Sequence, residues 1–165
     1  LGIAVWNINP WPTDAEVYYM PAALRIPYVH YLSEIHVTEG MENIRWLHGK
    51  EFYVVAISLF QFLLNDFESL RPLMLLGLIS IAASSILIFY IARRFWGQWI
   101  ALWCYFAFTL CLWPYIYVLF AKHQTLGFML FLTAVVLLLN STKYRYRPLW
   151  FLLSGFSLGI SLFSS

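Results

Sequence analysis

Long uncharged runs separated by short clusters of charge set the elements in the second half of the chain. Residues 72–92 carry no charged side chain for 21 positions, enough for a helix to cross a hydrocarbon core of about 30 Å. Residues 97–121 form a second such run, in which Pro114 predicts a kink. A third covers 123–140, and a fourth begins at 148 and runs to 165. Trp and Tyr gather at the ends of these runs (Trp96, Trp99, Tyr115, Tyr117, Tyr144, Tyr146, Trp150), as interfacial belts do. Gly155 and Gly159 make a small-xxx-small pair, which predicts close packing of the last helix through that face.

The first half reads differently. Residues 1–9 look like the final turns of a first transmembrane helix, stopped by Pro10 and Pro12. Residues 10–71 form the one long polar region, and all eight carboxylates lie within it, from Asp14 to Glu68. Short helices are predicted from Thr13 to about Ile26, from Tyr28 to Val37 and from Glu42 to Leu47, lying along a membrane surface. Residues 52–64 are apolar but span only about 20 Å as a helix, short of a full crossing.

Basic residues decide the sidedness. Arg93 and Arg94 fall in one loop, and Lys143, Arg145 and Arg147 in the next loop but one, while the loop between holds only Lys122. The positive-inside rule places the two basic loops in the cytoplasm. Residues 10–71 are then outside, and 52–64 lies in the interface or dips and returns. The expected fold is all-α: a polytopic integral membrane protein with amphipathic interfacial helices in its first outer loop. The polar loop faces the outer or lumenal side of a plasma, inner or endoplasmic-reticulum membrane.

Composition supports this class. Apolar residues make up 62% of the chain and charged residues 11%, against roughly a quarter charged in soluble domains. The chain starts and stops inside apolar runs, which suggests a piece of a longer membrane protein. A net charge of +2 without a basic stripe excludes a nucleic-acid partner. Cys104 and Cys111 lie about 10 Å apart on a helix, too far for a disulfide.

Candidate chemistry sits in the polar loop. A carboxylate at the membrane surface beside aromatics can have a raised pKa and act as a general base, which points to Asp14 and Glu16. Thr13-x-x-Glu16 is equally a capping box, and both roles can coexist. His48, Lys50 and Arg71 are cations placed where an anionic lipid phosphate would need them, or where helix-end bases snorkel to headgroups. His30 and Glu34 share a helical face, but His36 does not and no further ligand completes a metal set. Lys122, His123 and Gln124, at the outer end of a span, are candidates for lining an outer cavity.

This order of features resembles the polyprenyl-phosphate-dependent glycosyltransferases of the C-type membrane fold, most closely the protein O-mannosyltransferase and aminoarabinose transferase branch. An outward span end is followed by the acidic pair Asp14-x-Glu16, surface helices, His48-x-Lys50, a short apolar helix, and Arg71 before the next span. The resemblance implies that Asp14 deprotonates an acceptor hydroxyl, with Glu16 its capping neighbour. It implies that Arg71, Lys50 and His48 hold the phosphate of a lipid-linked sugar, and that transfer inverts the anomeric carbon. The segment Trp-Leu-His-Gly-Lys-Glu matches the family's His-Pro-Pro-Leu-x-Lys without its prolines or full spacing. Around Lys122-His123-Gln124 the family often carries a second acid that this chain lacks. No cofactor is implied, and a divalent metal, though compatible with such a transferase, has no ligand set to support it. The expected partners are a polyprenyl-phosphate-linked sugar, membrane lipids and other membrane subunits. The alternatives are a non-catalytic scaffold or accessory subunit of a larger complex and, with fewer features in its favour, a transporter of a lipid-linked substrate.

Overall fold

The computed structural model describes residues 51–67, 69–119, 123–141 and 147–162. Among the described residues six helices follow one another: α1 Glu51–Leu64, α2 Arg71–Trp96, α3 Gln98–Leu110, α4 Leu112–Leu119, α5 Gln124–Ser141 and α6 Arg147–Leu162. No strand occurs among the described residues. Among the described residues three stretches are long and apolar enough to cross a membrane: Arg71–Trp96, Gln98–Leu119 and Gln124–Ser141. The outward faces are greasy, with Trp99, Trp103 and Leu152 each more than 70% exposed. Such a surface suits lipid and would be a liability in water. The described residues are all-helical, and their three long apolar stretches suit an integral membrane protein.

α2 is the hub. It packs against α1, α3, α4 and α5, and its buried face includes Gly77, Ser80, Ser84 and Ser85, small residues that let neighbouring backbones come close. Without a hydrophobic drive in lipid, such closeness and side-chain hydrogen bonds hold helices together. Met74 and Ile81 of α2 form a core cluster with Tyr115 and Val118 of α4. α2 ends on Arg93 and Arg94, which complement the helix dipole. Gly97, with φ 86° and ψ 177°, reverses the chain in a backbone region essentially reserved for glycine. α3 and α4 then run back along α2. Thr109 stands beside Ser85 and, further along, Val118 beside Gly77.

The span Gln98–Leu119 breaks at Cys111, whose backbone is extended at ψ 132°. The expected kink therefore falls three residues before Pro114, and the reason is local. A helical proline lacks its N–H and its ring clashes with the carbonyl four residues earlier, here that of Leu110. α3 ends on that residue. The break is stitched by the Cys111 N–H donating to the Phe108 carbonyl at 3.2 Å and by the Tyr115 hydroxyl donating to the Thr109 carbonyl at 3.1 Å. Cys104 and Cys111 are both free thiols.

α6 packs antiparallel on α5, through a face that the sequence reading did not select. Ser154, Ser157 and Ser161 donate to the backbone carbonyls of Ala134, Leu130 and Gly127 at 2.8, 2.9 and 2.8 Å. All three serines are buried. The spacing 154, 157, 161 is one side of a helix, and the acceptors step back along α5 in the same rhythm. Gly155 and Gly159 point elsewhere: no described atom lies within 4 Å of where either Cβ would be. The close packing is present, but serines carry it and the glycine pair does not. Replacing all three serines by Ala keeps the backbones able to approach and removes only the hydrogen bonds. At about 0.6 kcal/mol for an average interhelical bond, the triple variant is expected to lose about 2 kcal/mol of stability. Unfolding by steric trapping in bilayers measures this, and an unchanged value would contradict the serine clamp.

Candidate functional site

The bundle has two chemically distinct ends. Arg93 and Arg94 close α2 and Arg147 opens α6. The Tyr90 hydroxyl, one turn before Arg93, donates to Asn140 Oδ1 at 2.7 Å. The C-terminal end of α5, and the start of α6 after it, therefore share the Arg93–Arg94 end. Arg71 begins α2 at the opposite end. Val118 packs on Gly77, so the passage from α4 to α5, with His123 and Gln124, shares that end with Arg71.

At the Arg71 end, the turn before α2 is built by Asp66. Its carboxylate accepts from the Ser69 N–H at 3.0 Å and from the Ser69 hydroxyl. The Ser69 hydroxyl oxygen then accepts the Arg71 N–H at 3.2 Å. Asp66 thus shapes the entrance to α2. Arg71 itself is exposed. A cation in the first turn opposes the helix dipole, so this position is not explained by helix stability. The first turn offers an anion little, since the Arg71 N–H is taken by Ser69 and Pro72 has none, but the exposed guanidinium is suited to pair with one.

The other predicted site residues divide as follows. Asp14, Glu16, His48, Lys50 and Lys122 lie outside the described residues, as do residues 1–9, the short surface helices, His30, Glu34, His36, Lys143 and Arg145. His123 is buried, its ring meeting the edge of Tyr53 at 6.0 Å between centroids. That contact joins α1 to the start of α5. Gln124 is exposed and borders a cavity of about 260 Å³ between α2, α3, α4 and α5. Among the described residues no group of three His, Cys, Asp or Glu side chains could hold a metal.

Of the cavities along the contact of α2 with the broken span, two border serines. The larger, about 340 Å³, is bordered by Ser85, Tyr105, Thr109 and Tyr115 with aliphatic neighbours. Three of its hydroxyl groups are engaged: Ser85 donates to the Ile81 carbonyl at 2.9 Å, Thr109 to the Tyr105 carbonyl at 2.7 Å and Tyr115 to the Thr109 carbonyl. The smaller cavity is lined by Ile81, Ser84, Phe108, Trp113, Pro114, Tyr117, Gln124, Thr125 and Phe128. Phe108 and Phe128 stack there with centroids 5.8 Å apart. The Ser84 hydroxyl, although buried, has no hydrogen-bond partner among the described residues. Sequence reasoning missed this cavity. Its signals, a proline within an apolar run and three serines in a span, are visible only separately.

No family model, curated protein or solved structure matches the chain.

Proposed function

We propose that this chain belongs to a membrane-embedded glycosyltransferase that moves a sugar from a polyprenyl-phosphate donor to an acceptor hydroxyl, with inversion, on the outer or lumenal face. The order of Asp14, Glu16, His48, Lys50 and Arg71 along the sequence motivates the reading. The observation that supports it best is the position of Arg71, exposed at the first residue of α2 and at the bundle end opposite Arg93, Arg94 and Arg147. There the donor phosphate pairs with the Arg71 guanidinium, joined by Lys50 and His48 from the polar region before α1. These cations stabilise charge on the phosphate as the sugar leaves. Asp14 removes the acceptor proton as the hydroxyl attacks the opposite face of the anomeric carbon.

Binding of a polyprenyl phosphate to the full-length protein in nanodiscs tests the cation's role. A charge-assisted contact contributes about 1.5–3 kcal/mol, and exposure reduces this. Arg71→Ala is therefore expected to weaken binding about tenfold. Arg71→Lys should fall between, since it keeps the charge but not the fork of donors. The loss should shrink as salt is raised. Equal affinity of the wild type and Arg71→Ala at low salt would remove Arg71 from the site.

A second reading has one observation in its favour. Secondary transporters bind substrates at discontinuous helices deep in the membrane, and the span Gln98–Leu119 is discontinuous at Cys111. In that reading the protein moves a lipid-linked substrate intact. Label appearing on the acceptor indicates transfer, while label remaining on the lipid in the other leaflet indicates transport. A scaffold gives neither.

A further inference from the structure

Arginines gather at the bundle end opposite Arg71 without an acid to balance them. Arg93 and Arg94 close α2 and Arg147 opens α6, and all three are exposed. No carboxylate occurs from residue 69 to 165, and Asp66 is tied into the turn at the other end. The helix dipole favours Arg93 and Arg94 but opposes Arg147, a cation in a first turn. Helix stability therefore does not explain the cluster. Packing brings its members together. Tyr90 lies three and four residues before Arg93 and Arg94, on the same face of α2, and its hydroxyl donates to Asn140 Oδ1 at 2.7 Å. That face of α2 thus meets the end of α5. The pairing of Ser154, Ser157 and Ser161 with Ala134, Leu130 and Gly127, continued toward the start of α6, sets Arg147 opposite Ser141, next to Asn140.

We infer that this seam between α2 and the α5–α6 pair binds the headgroup of an anionic phospholipid. The phosphodiester pairs with Arg94 on one side and Arg147 on the other, in the forked geometry that guanidinium groups favour. The one hydrogen bond of the Asn140 side chain among the described residues uses its oxygen, which leaves its amide N–H groups to donate to the lipid. Depth selects a lipid over a soluble phosphate. Phe95, Trp96 and Trp99 are exposed around the turn at Gly97, as aromatic rings at headgroup level are. Ile86, one turn deeper than Tyr90, and Leu138, beside Asn140 in sequence, are also exposed and give the acyl chains an apolar bed. Charge selects the headgroup. A zwitterionic lipid brings its own cation into a cluster that holds no carboxylate, whereas an anionic one supplies the missing counter-charge. The site lies at the other end of the bundle from Arg71, and it stands whether the protein transfers or transports.

Native mass spectrometry of the full-length, delipidated protein in detergent reads the binding of single lipids. Phosphatidylglycerol is expected to bind at least about fivefold more tightly than phosphatidylcholine, and excess glycerol phosphate should not displace it. Arg94→Gln and Arg147→Gln should each weaken phosphatidylglycerol about fivefold, the worth of one cation near a membrane surface. Asn140→Leu changes no charge and should still weaken it about two- to tenfold, the worth of one hydrogen bond. Arg71→Gln removes the same charge from the other end and should leave the first bound lipid unaffected. Arg94 and Arg147 are exposed, so their variants remain readable even if Asn140→Leu fails to fold. The inference is overturned if phosphatidylcholine binds as tightly as phosphatidylglycerol, or if glycerol phosphate displaces the lipid. It is equally overturned if Arg71→Gln weakens binding as much as Arg147→Gln, which would make net charge the cause, or if folded Asn140→Leu binds as the wild type does.

Discussion

Gly77→Ala is expected to destabilise the bundle by about 1–3 kcal/mol, the range for overpacking a well-filled core. A Cβ at Gly77 would stand 2.9 Å from Val118 Cγ2 and 3.4 Å from Cγ1, inside contact distance. Val118 is 1% exposed and branched at Cβ, so its methyls have no free rotamer to retreat into. The sign is informative, because replacing a helical glycine by alanine ordinarily gains up to about 1 kcal/mol. Gly155→Ala, facing open space, is expected to cost nothing. Removing the obstacle should restore Gly77→Ala: in the double variant with Val118→Ala the two changes are expected to couple by at least about 1 kcal/mol. Unfolding free energies of the four proteins in bilayers measure that coupling. If Gly77→Ala is neutral alone, α2 and α4 do not meet at this point.

The contact matters because Val118, with Tyr115, carries the packing of α4 on Met74 and Ile81 of α2. Moving α4 outward would open both cavities and shift the passage to α5, where His123 meets Tyr53. A packing defect within the bundle thus reaches the end that carries Arg71.

Much of the architecture was legible in the residues because bilayer thickness imposes a length that uncharged runs either meet or miss. Helices within 72–92, 97–121 and 123–140 follow from that constraint. What was not legible depends on pairs of helices. Pro114 announces a disruption, but only the clash with the Leu110 carbonyl puts the break at Cys111. Ser154, Ser157 and Ser161 recur at helical spacing, yet a serine in an apolar run also reads as a neutral filler. Gly155 and Gly159 carry a motif associated with tight dimers, and nothing in α6 alone shows which small face meets α5. Ser80, Ser84 and Ser85 are indistinguishable in sequence, and only the surrounding helices leave the middle one without a partner. The candidate site was legible as an order of charged residues, and Arg71 alone of its proposed phosphate ligands falls on the described helices. Asp14, Glu16, His48 and Lys50 rest on the sequence.

The central claim is therefore tested most directly at Asp14. A positioned general base contributes about 10²–10⁴ in rate. Asp14→Asn in the full-length protein is expected to reduce sugar transfer from a polyprenyl-phosphate donor by at least about a hundredfold. The variant should insert, unfold and bind polyprenyl phosphate as the wild type does. Glu16→Ala, by contrast, should cost stability through its cap while leaving much of the transfer. Wild-type transfer by Asp14→Asn would contradict the assignment.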